Sequence, residues 1–178
     1  MALTYLSSQT ASSSSTLNFT SGIDGTYDAY EFHLVNLHPQ TDAVAISFQV
    51  DTGTNTNYNQ QITSSFFRMK LHEDDSDEEV AYIAAYDQGN GTSYQLLCND
   101  LGNDNDQSVS GILTLYAPSD TTFVKHFQSR MIEVHESDIL MDSFCAGYVN
   151  TTTALTRISF KFDSGNIDSG KITMYGVG

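Results

Sequence analysis

Apolar and polar residues alternate with a period of two along much of the chain. In "YEFHLVNL", Tyr30, Phe32 and Leu34 fall on one side, and Glu31, His33 and Val35 on the other. In "AVAISFQVD", Val44, Ile46, Phe48 and Val50 oppose Ala45, Ser47 and Gln49. "RISFKFD" sets Ile158, Phe160 and Phe162 against Arg157, Ser159 and Lys161, and "GKITMYG" sets Ile172 and Met174 against Thr173 and Tyr175. Such alternation is the pattern of a strand with one buried face. Less regular runs predict further strands at "TLNFT", "QITSSFFRMKL", "VAYIAAY", "SYQLLC", "SVSGILTLYA", "TFVKHFQSRMIEV" and "MDSFCAGYV". Between them lie turn formers such as "DTGTNTN", "DQGNGTS" and "SGNIDSG".

Roughly nine to eleven short strands at even spacing predict an all-β fold: an antiparallel β-sandwich, jelly-roll-like, in a single domain. Phe32, Leu34, Ile46, Phe48, Ile158, Phe160, Ile172 and Met174 are its expected core. The alternating C-terminal run must pair with something, since an open edge invites aggregation. Pairing beside an N-terminal strand satisfies it and reads as a compact module, complete in itself. "DEEVAYIAAY", with acids at its start, is the one helix candidate. The serine-rich "SSQTASSSST" predicts a mobile N-terminal arm over residues 1–16, ahead of the sandwich domain at 17–178.

Composition sharpens this picture. The 178 residues suffice for one domain with a real core. Ten Phe and ten Tyr stand in a chain only 16% charged, more aromatics than one sandwich core needs. The surplus suggests packing between subunits. The net charge of −15, from 22 acidic and 7 basic side chains, speaks against nucleic acid, which is gripped by clustered Lys and Arg. It speaks equally against anionic membrane surfaces. No apolar run is long enough to span a bilayer as a helix, and "MALTYLSSQTASSSS" lacks the basic start and apolar centre of a secretory signal. Cys98 and Cys145 are expected as buried free thiols in a reducing compartment.

Candidate chemistry is sparse. His33, His38, His72, His126 and His135 show no zinc-ligand spacing. "HEDDSDEEV" crowds six carboxylates into a loop best kept solvated. In "NDLGNDNDQS", Asp100, Asn103, Asp104 and Asp106 form a better calcium candidate than that acidic run, and an Asx-rich turn is the simpler reading of the same residues. Calcium is thus the only cofactor the sequence suggests. No nucleophile elbow or phosphate loop occurs, so the chain reads as a non-enzyme; a glycosidase carboxylate pair is the residual enzymatic alternative. Tyr5, Tyr58, Tyr86, Tyr94 and Tyr148 lie near polar loops where sugars could stack.

The stretches "LNFTSGIDGTYDAYEFHLVNLHPQTD", "FFRMKLHEDDSDEE", "LGNDNDQSVSGILTLYAPSDTTFVKHF" and "AGYVNTTTALTRISFKFDSGNIDSGKITMYGVG" together resemble small β-rich virion proteins of tailed phages of aquatic bacteria, notably cyanophages. The resemblance runs from about Leu17 to Gly178, as a pattern of strands and turns without a catalytic signature. It implies a virion structural protein, made in the host cytoplasm. The favoured role is a capsid decoration, or cement, protein on the outer surface of the head, with the major capsid protein as partner. By analogy with the threefold positions such proteins occupy, it implies a homotrimer. Ser12, Ser13, Ser14 and Ser15 of the arm are the expected capsid contacts. The alternative is a tail- or vertex-associated module that binds a receptor or a cell-surface glycan.

Overall fold

The period-two runs become paired strands. The computed structural model describes residues 2–178. Its strands are β1 (Leu3–Thr10), β2 (Leu17–Phe19), β3 (Ala29–Pro39), β4 (Ile46–Thr52), β5 (Ile62–His72), β6 (Glu78–Tyr82), β7 (Gly89–Gly91), β8 (Gln95–Leu96), β9 (Val109–Tyr116), β10 (Lys125–Val134), β11 (Ile139–Val149), β12 (Leu155–Phe162) and β13 (Ile167–Val177). They form a nine-stranded sheet, ordered β1-β13-β3-β9-β10-β11-β5-β6 with β7 beside β5, and a four-stranded sheet, ordered β2-β12-β4-β8. All pairings are antiparallel. The chain crosses repeatedly from one sheet to the other, in the manner of a jelly roll.

The two sheets meet through aromatics. Phe32 on β3 packs on Phe160 of β12 with ring centroids 5.5 Å apart, and on Phe19 of β2 at 5.4 Å. Phe48 of β4 meets Phe127 of β10 at 5.0 Å. All eight residues expected in the core are there, none more than 1% exposed. Cys98 and Cys145 are buried and free, as expected.

The C-terminal strand is paired on both sides. β13 lies between β1 and β3, with Tyr5 opposite Tyr175 and Met174 opposite Phe32. This pairing overturns the mobile arm expected over residues 1–16. Met1 lies outside the described residues, but residues 3–10 are a sheet strand. "LTYLSSQT" is rich enough in strand formers to pair, and β13 would otherwise offer a bare edge. Even the serines that follow are tied down: Ser13 N–H donates to Asp168 O at 3.0 Å, and Ser14 N–H to Ile167 O at 2.8 Å.

The helix expected in "DEEVAYIAAY" is also corrected. Glu78–Tyr82 forms β6, paired to β5, and Ala84–Tyr86 makes a single 3-10 turn. Val80 and Tyr82 favour an extended chain, and the tight "DDSD" reversal delivers the segment beside β5, where pairing outweighs the acids' helix-start signal.

One local device shapes the face described next. The register of β3 shifts between Leu34 and Leu37 against β9, and that of β13 between Ser169 and Lys171 against β3. Asn36 and Gly170 both take positive φ, of 48° and 105°. A Cβ on Gly170 would collide with the Asn36 carbonyl, so the double bulge needs glycine there. The bulge leaves Val35 and Asn36 both exposed and returns Leu37 to the core.

Candidate interaction surface

The inner face of the large sheet makes the core. Its outer face follows from the register alone. One row across it reads Tyr5, Tyr175, Glu31, Thr114, Gln128, Ala146 and Ser65. The next reads Thr173, His33, Ile112, Arg130, Phe144, Phe67 and Tyr82, and a third Lys171, Val35, then Ser110, Ile132, Asp142, Met69 and Val80. Leu140 and Leu71 stand opposite one another in a fourth. Besides Tyr5 at the β1 edge, nine large apolar side chains in these rows are substantially exposed: Val35, Phe67, Met69, Leu71, Val80, Tyr82, Ile112, Ile132 and Leu140. An ordinary antiparallel sheet turns polar residues to the outside. This one does not.

The centre of the face is ordered. Arg130 grips Asp142 with a two-point contact, Nε donating to Oδ1 at 2.9 Å and Nη2 to Oδ2 at 2.7 Å. The same guanidinium lies 5.2 Å from the centroid of the Phe144 ring, and the carboxylate beside it raises its already high pKa. Phe144 stacks flat on Phe67 at 4.8 Å. Glu31 and His33 pair at 2.8 Å. A shallow depression of about 480 Å³ opens between Glu31, Ile112, Arg130, Phe144 and Phe67, and a second of about 390 Å³ lies between Met69, Leu71, Val80 and Leu140. The first holds a single carboxylate among the described residues, Glu31. It therefore lacks the facing pair that glycoside hydrolysis uses.

A buried acid sits behind this face. Glu133, on the inner side of β10, is 1% exposed. Its Oε1 accepts from Asn99 N–H at 2.8 Å and from Ser143 Oγ at 3.3 Å, while Oε2 has no partner. Burial pushes its pKa up to about 8, against the smaller opposing pull of those hydrogen bonds, the Cys98 thiol and Arg68. The acid is thus largely protonated at neutral pH, with Oε2 free to carry the proton.

The residues anticipated from sequence lie elsewhere. Asp100, Asn103, Asp104 and Asp106 occupy the loop before β9 but do not converge. Asp100 accepts from Asn99 Nδ2 at 2.8 Å, Asn103 donates to the Gln40 carbonyl at 3.2 Å, and Asp104 offers its backbone to Gln107 and His38. Among the described residues no three His, Cys, Asp or Glu side chains come together as a metal-binding group. Of the arm serines, Ser12, Ser13 and Ser15 are exposed and Ser14 half-buried. Gln40 Nε2 donates to Ser13 Oγ at 2.7 Å, and the Ser14 hydroxyl accepts from Ser12 N–H at 3.1 Å. The five histidines are scattered. The tyrosines picked for sugar stacking are largely engaged. Tyr86 packs on Phe66, Tyr94 lies under Lys161 and bonds Ser159, and Tyr148 leans on His126. Only Tyr5 stands well exposed, beside Tyr175.

Sequence reasoning missed the apolar face. Its signal was present in adjacent apolar pairs, Phe66–Phe67, Met131–Ile132 and Leu140–Met141, which put apolar groups on both sides of one strand. Because the runs were read for one buried face, the second apolar side passed as noise.

No family model matches this chain, and no curated protein matches it either.

Proposed function

We propose that this chain is a non-enzymatic structural protein that works by assembling, and that it serves as a capsid decoration protein on the outside of a phage head. The observation that carries the assembly role is the exposed apolar outer face of the large sheet. Soluble monomers rarely expose apolar patches beyond about 300–600 Å², and larger ones mark interaction sites. The resemblance of the strand-and-turn pattern to small β-rich phage virion proteins supplies the virion context. The acidity suits a protein displayed in many copies, because like charge keeps crowded copies from clumping. The glycan-binding alternative draws less support, since the tyrosines near polar loops are mostly packed or bonded.

Co-sedimentation with heads assembled without this protein tests the proposal. Saturable binding at a fixed ratio to the major capsid protein is the expected result. No binding to heads, with binding to tails or host-cell glycans instead, would move the chain to the receptor-binding role.

A further inference from the structure

The structure assigns the outer face of the nine-stranded sheet to a second copy of this same chain. This rests on reading that face as an assembly surface and names its first occupant.

Area comes first. A Phe or Tyr side chain offers roughly 150–250 Å² when fully exposed, and the aliphatic ones somewhat less. Nine such groups at 38–72% exposure present on the order of 800 Å², about what one partner contributes to a standard protein–protein interface. The face is therefore the right size to be one half of a complete contact.

Charge selects the occupant. The chain carries −15, so two copies repel unless the surfaces that meet are close to neutral. This face is close to neutral. Glu31, Asp142 and Glu78 are answered on the same surface by Arg130 and Lys171, and Asp142 is already neutralised by its two-point pair. The acidic excess sits in loops such as Glu73–Asp77 and Asp100–Asp106. A basic partner would be drawn to those loops. A like-charged copy has this apolar face as its place of approach. Arg130 and Asp142 already offset each other's charge, so the desolvation that penalises unpaired buried charge is limited.

Shape agrees. Two sheets can pack face to face about 10 Å apart with interdigitating side chains. The two shallow depressions on the face can each receive a projecting group from a copy, as Val80 and Tyr82 project from β6.

The test is the mass of the purified full chain by light scattering over a wide concentration range, for the wild type and for Ile132→Lys, Val80→Lys and Phe123→Lys. Ile132 lies at the centre of the face and Val80 at its margin. Phe123, in the loop before β10, lies off it. Circular dichroism and melting identify which variants are folded, and either face variant alone suffices. The expected result is a multiple of one chain's mass for the wild type and Phe123→Lys, falling to a single chain's mass for the face variants. A wild type with one chain's mass at every concentration overturns the inference, as does an oligomer that folded face variants leave intact. Head binding separates the two readings. A monomeric wild type that binds heads through a lysine-sensitive face overturns the second copy and keeps the assembly surface. A monomer that binds no heads overturns both.

Discussion

The two sheets treat their outer faces in opposite ways. The outer face of the four-stranded sheet is polar yet buried: Ser47, Gln49, Asp51 and Ser159 are at most 1% exposed. The chain covers it with its own loops. Gln49 Nε2 donates to the carbonyls of Gln60 at 2.9 Å and Ser93 at 3.1 Å, and Asp51 accepts from Tyr58 N–H at 2.9 Å and from Gln60 Nε2 at 3.2 Å. Tyr94 lies over Ser159 and bonds it at 3.0 Å. The outer face of the nine-stranded sheet carries large apolar groups among its polar ones, and those groups stand bare. A polar face can be closed within one chain, because loop backbone supplies its hydrogen bonds. Exposed apolar groups call for apolar partners, which loop backbone does not supply.

The contrast can be broken first at the core between the sheets. Phe160→Ala removes a fully buried ring that packs against both Phe32 and Phe19. It should cost about 3–5 kcal/mol by denaturant unfolding. A loss below about 1 kcal/mol would mean that the sheets do not meet there.

Glu133 gives the next effect, a few kcal/mol spread over pH. Its carboxyl is held near 8 in the folded chain, against 4.5 as the ordinary value. Between those values the native state holds a proton that the unfolded chain has released. The contribution of Glu133 to stability is therefore greatest below about 4.5, falls with a slope approaching ~1.4 kcal/mol per pH unit as pH rises toward 8, and flattens above. Glu133→Gln keeps the shape without the titration and should remove that slope. Melting curves from pH 5 to 9 decide; an unchanged slope in the variant would place the titration in another group.

The covered polar face comes next. Asp51→Ala strips acceptors from the Tyr58 and Thr52 N–H groups and from Gln60. It should cost about 2–3 kcal/mol and raise amide exchange in the loop over residues 53–61. Exchange no faster than in the wild type would show that the loop is held some other way.

The smallest effect on folding belongs to the bare face. Val80→Lys, measured in dilute protein, should change stability by no more than ~0.5 kcal/mol, because the site is 72% exposed. A large loss in dilute protein would mean that Val80 is part of the monomer's own core.

How much the sequence revealed follows from the same contrast. Strict alternation, as in Phe32–Leu34 and Ile158–Phe160, identified the buried side of β3 and β12 without ambiguity. That β13 must be paired was legible because an alternating run cannot be left at an open edge. The ordering of residues 3–16 was not, since serine composition says nothing of a β13 edge supplied from far along the chain. The apolar outer face was written in doublets such as Phe66–Phe67, but a doublet has no periodicity that tells core from surface. The calcium candidate at Asp100–Asp106 rested on composition, and in the fold Asp100 bonds Asn99 while Asn103 reaches away to the Gln40 carbonyl.

The central claim is that the outer face of the large sheet is buried between copies. It is tested most directly by thiol labelling of Ile132→Cys, with Phe123→Cys as the control off the face and the native Cys98 and Cys145 buried. From dilute to concentrated protein, labelling at position 132 should slow at least tenfold while labelling at 123 stays constant. Equal rates at position 132 across the whole concentration range would contradict the account.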